Sequence, residues 1–352
     1  MPITISDIAR MANVSQSTVS RVLNNSGYVK EDTKKRVEKV IKELNYTPNA
    51  IARSLSKSET NTIGVIVPDI TNSYFGEVIK GISHVADENN LNIIFYNTEN
   101  SFEKEIRALN LLKEQRIKGI IMTPGFGADD FENTYRGIVD SLNCPLILAC
   151  ADVNSTEFNG VFVDNIKGAY DSTELLIKSG HRKIGILLGP LNSEPMSQRL
   201  LGYKKALYEN KIEINENYIL KGDFSLENAY EITKNMFKSE NCPSALIVCT
   251  NRMTMGVIKA VEEFNKKIPQ DLAIIASDKN EVLDMFGLSL TYIEECPLML
   301  GRSAMEMLCN ILENNTKEKI RTVIAPQIII RGSEGYGISK SNGLDTYFNE
   351  KL

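Results

Sequence analysis

The sequence predicts two unlike parts: a small all-α helix-turn-helix domain, then an α/β core of two doubly wound parallel-sheet lobes. Three observations predict this. The chain has 352 residues, too many for one ordinary hydrophobic core. Its first 58 residues read as short amphipathic helices with ten Lys/Arg against five Asp/Glu. From Thr62 onward, short β-branched runs alternate with longer amphipathic stretches, the pattern of parallel strands joined by crossover helices.

The bulk composition is that of a globular protein, with 42% hydrophobic and 24% charged residues. No run of about 18 apolar residues is present, so no membrane span is expected. The start, MPITISDIARM, lacks a basic stretch followed by an apolar one, so no secretory signal is expected. Six cysteines (Cys144, Cys150, Cys242, Cys249, Cys296, Cys309) are scattered, with no CxxC pair. They read as reduced thiols of a cytoplasmic protein, not as a disulfide framework or a zinc site. The net charge is -5, yet residues 1–58 carry +5, leaving -10 on the rest. A basic head on an acidic body points to an anionic polymer for the head. A solvated face on helix 31–44 accounts for the charge equally well.

In the head, Thr4 opens TISD, a capping pattern before Ile5, Ile8 and Ala9 at helical spacing. That helix is expected to end near Met11–Asn13. Ser15 can cap a second helix to about Leu23, burying Val14, Val19 and Val22 or Leu23. The short joint makes a helix-turn-helix. A third helix, Glu31 to Leu44, sets Val37, Val40, Ile41 and Leu44 on one face. With the valines of the second helix inward, Gln16, Ser17, Ser20 and Arg21 remain outside. Short polar groups let a backbone approach DNA, and an arginine can pair bidentately with guanine. A merely solubilising face is the alternative.

The next segment, NYTPNAIARSLSKS (45–58), offers Pro48 at a first helical turn and a short stripe of Ala50, Ile51, Ala52 and Leu55. A helix this short and polar is marginal in water alone. TISDIARMANVSQSTVSRVLN followed by LNYTPNAIARSL closely resembles the head and hinge of the lac repressor family of bacterial transcription regulators. The likeness continues to about residue 335. It implies a helix-turn-helix domain over 1–46 and a hinge helix over 47–58. The hinge would fold in the minor groove, with Leu55 wedged into the central base step. Gln16, Ser17 and Arg21 fall on base-reading positions, Asn24 and Tyr46 on phosphate contacts. Thr4, Ser15, Thr18 and Ser20 of the head, with Asn49, Ile51 and Ala52 of the hinge, complete the expected DNA surface. A homodimer on a pseudo-palindromic double-stranded operator follows.

In the body, strand runs (TIGVIVPD, LNIIFYNT, IKGIIMTP, CPLILAC, VFVD, KIGILLGP, ENYILKGD, ALIVCT, LAIIAS, LTYIEE) alternate with helices. These are expected near 74–89, 102–115, 130–141, 166–179, 196–209, 226–238 and 252–264. Ten strands are too many for one compact sheet, so two lobes with a cleft beyond the strand C-terminal ends are expected. The resemblance implies a periplasmic-binding-protein-like core over 61–335, its chain crossing between lobes near 161, 291 and 322. The N-terminal lobe would be 61–161 with 293–321, the C-terminal lobe 162–291 with 322–335. Residues 336–352 read as a polar tail without leucine heptads.

No catalytic set is visible. GFG at Gly125–Gly127 lacks the third glycine of a dinucleotide site, and GxSxG, HExxH and Walker patterns are missing. The only histidines are His84 and His181, the latter in a helix-to-strand turn. The reading is therefore a binding protein without cofactor or metal, not an enzyme. Strand ends supply candidate effector contacts: Asn72, Tyr74, Phe75, Thr123, Cys150, Ser193, Arg199, Phe224, Asn251, Arg252, Asp278 and Glu295. A sugar wants aromatic faces, here Tyr74, Phe75 and Phe224, and fixed polar groups. Arg199 and Asp278 fall on the family's effector positions.

Departures from the family pattern bear on the ligand. Cys150 stands where many relatives have an acidic residue, and Thr250-Asn251-Arg252 replaces Asn-Asp. IASD replaces IGFD, and EEC stands at the last crossover. Arg252 beside Arg199 would suit an anionic sugar derivative. Alternatively, Glu294 and Glu295 neutralise that charge. Parts of the chain, VIVPDITNSYF and LILACAD, resemble the catabolite-control branch, whose partner is a phosphorylated carrier protein. The basic surface of that branch is weakened here, since GRSAMEM has Arg302 but also Glu306. A solute-binding protein is the rival from another class. It would carry an export signal in place of VSQSTVSRVLN.

Overall fold

The computed structural model describes residues 3–23, 26–44, 60–125, 136–153, 158–315 and 318–335. The chain divides into two compact units, Met1–Thr60 and Asn61–Leu352.

The first unit holds three helices: α1 (Ile5–Met11), α2 (Gln16–Leu23) and α3 (Glu31–Glu43). Thr4 and Asp7 form a complete capping box at α1, each side chain bonding the other's backbone N–H. Asn13, at φ 53, turns the chain between α1 and α2. Ile8, Ala12, Val19 and Val37 are fully buried in the shared core, with Val14, Leu23, Ile41 and Leu44 packed against it. Both Val22 and Leu23 therefore turn inward.

The second unit holds two six-stranded sheets. The first sheet contains β1 (Thr62–Val67), β2 (Asn92–Asn97), β3 (Gly119–Met122), β4 (Leu146–Cys150), β5 (Asn159–Val163) and β11 (Arg321–Ile324). Its order is β11-β5-β4-β3-β1-β2, and every pairing is parallel. The second sheet contains β6 (Ile184–Leu188), β7 (Ile219–Lys221), β8 (Ala245–Val248), β9 (Ala273–Ser277), β10 (Thr291–Glu294) and β12 (Gln327–Ile329). Its order is β12-β10-β9-β8-β6-β7, parallel except for the edge pair β10–β12. The central strands are buried along their whole length, as sheets covered on both faces require.

The crossover helices of the first lobe are α4 (Ser73–Glu88), α5 (Phe102–Glu114) and α6 (Arg136–Val139). Those of the second are α7 (Asn165–Lys178), α8 (Glu194–Glu209), α9 (Leu226–Lys238), α10 (Asn251–Glu263) and the short α11 (Glu281–Met285). After β10 the chain returns to the first lobe as α12 (Pro297–Asn314), which packs on α4. Two glycines permit this contact. A Cβ on Gly81 would lie 2.1 Å from the Leu298 carbonyl oxygen, and one on Gly301 would lie 2.0 Å from that of Val78.

The lobe boundaries need correction. β5 runs to Val163, β10 to Glu294 and β11 to Ile324, so the crossings lie a few residues beyond 161, 291 and 322. The hydrogen-bond ladder is the reason. Val161, Phe162 and Val163 pair with Thr322, Val323 and Ile324, which keeps both strands in the first sheet to their ends. β11 and β12 are two strands beyond the ten expected. They are short edge strands, separated by Ala325-Pro326, and their half-exposed sequences lack a buried run. The helix expected near 130–141 is described only as α6. Asn24, Tyr46, the hinge with Asn49, Ile51, Ala52 and Leu55, and the tail 336–352 lie outside the described residues.

Candidate functional site

The first site lies on the head. Burial of Val19 and Val22 leaves Ser15, Gln16, Ser17 and Arg21 exposed, with Thr18 and Ser20 half-buried. Ser15 Oγ accepts the Thr18 N–H at 3.2 Å and lies 2.7 Å from Ser17 Oγ, so it caps α2. Gln16 Nε2 donates to Ser6 Oγ at 3.2 Å. The hydroxyl of Thr4 is likewise engaged, donating to Asp7 Oδ2 at 2.7 Å. Lys34 and Lys39 of α3 face Glu38 and Glu43 across one turn, which offsets part of the head's positive charge. The Arg21 carbonyl accepts the Ser26 N–H at 3.0 Å, while its guanidinium has no hydrogen bond or ion pair among the described residues.

The second site is a cavity of about 140 Å³ between the sheets of the core, at the strand C-terminal ends. All twelve candidate effector residues line it. From the first lobe come Asn72, which caps α4, and Tyr74 and Phe75 of its first turn, with Thr123 after β3 and Cys150 closing β4. The Tyr74 and Phe75 rings meet edge to face, their centroids 5.3 Å apart. From the second lobe come Ser193 and Arg199 at α8, Phe224, Asn251 and Arg252 opening α10, Asp278 after β9, and Glu295 after β10. Three of these non-glycine residues adopt left-handed backbone, Cys150 (φ 69), Phe224 (φ 70) and Asp278 (φ 59). Such backbone is disfavoured for side chains with a Cβ and persists where the surroundings hold it, often at functional sites.

Arg199 is the polar centre. It is 6% exposed and makes four bonds within the protein. Nε donates to Asn165 Oδ1 at 2.9 Å, and one terminal nitrogen donates to the Cys249 carbonyl at 2.5 Å and to Ser277 Oγ at 3.2 Å. The other terminal nitrogen pairs with Glu295 Oε1 at 2.5 Å. Glu295 Oε1 also accepts from Ser277 Oγ at 2.8 Å, and the Glu295 N–H donates to Asp278 Oδ1 at 3.1 Å. Burial opposes the charge of Arg199, but the acidic groups around it, Glu295 foremost with Cys249, Asp278 and Tyr74, together outweigh burial and raise its pKa. Burial, then the charge of Glu295, push the Asp278 carboxyl well above the ordinary range. Burial also pushes the thiols of Cys150 and Cys249 up to about 12 and about 11, so neither is a thiolate at neutral pH.

Arg252 does not join Arg199. It pairs with Asp69 of the opposite lobe at 3.2 Å and donates to Thr71 Oγ1 at 3.1 Å. Two carboxylates thus neutralise the two guanidinium groups, and the expected anion-binding arginine pair is not formed. The alternative raised from the sequence, neutralisation by Glu295, describes Arg199. Asn165, Ser277 and Asp69 also line the cavity and escaped the sequence reading. Asn165 and Ser277 stand at strand C-terminal ends, the positions that supplied the other candidates.

Two further contacts join the lobes. Asn251 Nδ2 lies 3.5 Å from Ser73 Oγ, and Glu194 Oε2 accepts from the Asp152 N–H at 3.5 Å. Among the described residues, no group of three or more His, Cys, Asp or Glu could hold a metal ion. No helix of the described residues is long and apolar enough to cross a membrane. On α12, the guanidinium of Arg302 lies 3.6 Å from Glu306 and 4.0 Å from Glu88.

Comparison with known proteins agrees with both parts. Residues 4–49 match the model of bacterial regulatory proteins of the lacI family. Residues 60–332 match that of periplasmic binding proteins and the sugar binding domain of the LacI family. The chain is 32% identical over 338 residues to catabolite control protein A of Priestia megaterium, covering 95% of this chain and 99% of that protein. It is 32% identical over 331 residues to the HTH-type transcriptional repressor PurR of Vibrio atlanticus, covering 94% and 98%. Among solved structures, the lac repressor dimer bound to operator and the anti-inducer ONPF aligns with a TM-score of 0.85 at 25% identity, covering 95% of this chain and 100% of that one. The chain belongs to the lacI family of bacterial regulatory proteins and is a DNA-binding transcription regulator.

Proposed function

We propose that this regulator is a repressor whose operator affinity is set by a hydroxyl-rich, carbohydrate-related small molecule bound between the lobes of its core. The observation that carries the reading is the interlobe cavity, with aromatic walls and a buried polar centre at Arg199, Asp278 and Glu295. The ligand meets groups from both lobes, so it favours one lobe arrangement over another. Its differential affinity for the two arrangements is the whole of its leverage. Lobe motion changes the spacing of the two hinge segments in a homodimer. Operator affinity then shifts by the coupling energy, typically about 1–3 kcal/mol. Two large apolar side chains of the core, Met285 and Phe286, are each 85% exposed, which is surface for a second copy to cover.

On the DNA side, Gln16, Ser17 and Arg21 read bases in the major groove, and Leu55 of the hinge wedges into the minor groove. Selection of bound sequences from a random DNA library by the full chain tests this. A pseudo-palindromic site is expected. On that site Arg21→Ala should lose roughly 1–3 kcal/mol and relax the preference at one base pair. Leu55→Ala should weaken specific binding far more than non-specific binding. Equal losses in the two would refute the wedge. A phosphorylated carrier protein as the controlling partner finds little support on α12, where Arg302 is the only cation and lies between two carboxylates. Carrier-dependent operator binding with no response to any small molecule would reverse that preference.

A further inference from the structure

The two lobes also meet beside two cleft-lining residues. Asp152 follows Ala151 in the first lobe, and Glu194 follows Ser193 at the start of α8 in the second. Glu194 Oε2 accepts the Asp152 N–H across the gap at 3.5 Å, so two acidic residues of opposite lobes are neighbours. The guanidinium groups near Glu194 have partners of their own. Arg321 of β11 is held by Asp152 Oδ2, donates to the Phe158 carbonyl at 3.3 Å and lies 4.5 Å from the Phe162 ring centre. Arg199, on α8 itself, is held by Glu295. Gln198 Nε2, one turn along α8, donates to Glu194 Oε1. Glu194 thus faces a like charge and makes no ion pair among the described residues.

With the lobes joined in this way, a half-buried carboxyl stands against an anion, and both burial and the like charge disfavour its ionised form. Burial first, then the charge of Asp152, raise the Glu194 pKa to about 7, against the pull of the Asp152 N–H and of the Arg321 and Arg199 charges. Separating the lobes takes Glu194 away from Asp152 and returns it to water, where a glutamic acid titrates near 4.5. Between these values the closed arrangement holds a proton that the open one has released. Two other groups that titrate near neutrality keep within one lobe. Glu105 bonds Gly125 of the first lobe, and His181 bonds Ser244 and Glu334 of the second. Resting on the reading of this cleft as the effector site, we propose that closure of the lobes takes up one proton at Glu194, so that mild acid favours the closed cleft. A ligand held by both lobes is then bound more tightly as pH falls through neutrality, and the regulator reads pH and effector through one equilibrium.

The full chain serves for the test, with one fluorescent dye on each lobe, and energy transfer between them reports closure. The dyes sit on unnatural residues replacing the exposed Glu114 and Lys238, since the six cysteines rule out thiol labelling. The ratio of closed to open chains should fall by up to about tenfold per pH unit as pH rises from about 5 to about 7, the limit for one proton, and level off above. Glu194→Gln keeps an acceptor for the Asp152 N–H and cannot ionise. That variant should stay closed across the range with a flatter response, any remaining slope belonging to other cleft acids such as Asp278. Should it fail to fold, Asp152→Asn, which removes the facing charge, should move the wild-type transition to lower pH. Equal pH responses in the wild type and Glu194→Gln, both flat included, overturn the proposal. Binding to the DNA site selected as above, measured over the same pH range, tests the underlying reading separately. Closure that follows Glu194 while operator affinity does not would keep the proton latch and remove the control of the operator by the lobes.

Discussion

Glu105 is 1% exposed, on the first turns of α5, and its Oε1 accepts the N–H of the cleft-lining Gly125 at 2.7 Å. Burial raises its pKa from 4.5 to about 7, only partly offset by that hydrogen bond. A carboxyl raised in the fold keeps its proton where the unfolded chain has lost it. The folded state then binds more protons than the unfolded state, so stability falls as pH rises. The contribution is whole below pH 4.5 and is lost by the time pH passes about 7. At 1.36 kcal/mol per pH unit the loss is of order 3 kcal/mol. Glu105→Gln keeps an acceptor for the Gly125 N–H and cannot ionise. The variant should match the wild type near pH 4.5 and exceed it by up to about 3 kcal/mol at pH 8. The chain has no tryptophan, so urea unfolding should be followed by circular dichroism at both pH values. Glu194, also raised to about 7 by burial, should leave the variant a residual slope of the same sign. A wild type and variant that differ by the same amount at both pH values would refute the reasoning.

Two further outcomes concern the core. Gly81→Ala should lower the core's stability by about 2–3 kcal/mol, because the added methyl meets the Leu298 backbone rather than a yielding side chain; a melting midpoint within a degree of the wild type would contradict the close α4–α12 contact. His181, buried with ring nitrogens 2.9 Å from Ser244 Oγ and 3.2 Å from the Glu334 carbonyl, has its pKa lowered by burial from 6.5. The unfolded chain takes up that proton first, so stability should fall as pH drops below about 6.5. His181→Gln should flatten that acid limb, as read by unfolding midpoints between pH 5 and 7.

The alternation of buried strands with amphipathic helices was legible because each element carries its own period. Six of the seven expected helices and the ten strands could be read off one after another. β11 and β12 were not, since a strand of three or four residues at a sheet edge has too short a buried face to show a period. The lobe crossings came out a few residues early for a related reason: a strand's end is set by its neighbour's ladder, here Val161–Val163 against Thr322–Ile324. The cleft residues were legible through one topological rule, since side chains at strand C-terminal ends converge. Their pairing was not. Asp69 and Arg252 are 183 positions apart, and nothing local in either segment says that one neutralises the other.

The Asp69–Arg252 pair also joins the two lobes, so it should bear on the equilibrium the ligand controls. Its partners are 27% and 44% exposed, which limits its worth to about 0–1 kcal/mol. That is at most about a fivefold change in the ratio of lobe arrangements. Asp69 also accepts the Thr71 N–H at 2.9 Å through Oδ1, whereas Arg252 contacts Oδ2. Asp69→Asn keeps the first contact and removes the charge from the second. Effector affinity should fall by no more than about fivefold, since only the closure term changes. An exposed pair is screened by salt, so 0.5 M salt should reproduce most of that loss in the wild type and add little in the variant. A hundredfold loss would mean that Asp69 touches the ligand itself. An unchanged salt response would mean that lobe closure owes nothing to this pair, and that the buried contacts around Arg199 alone decide how the cleft shuts.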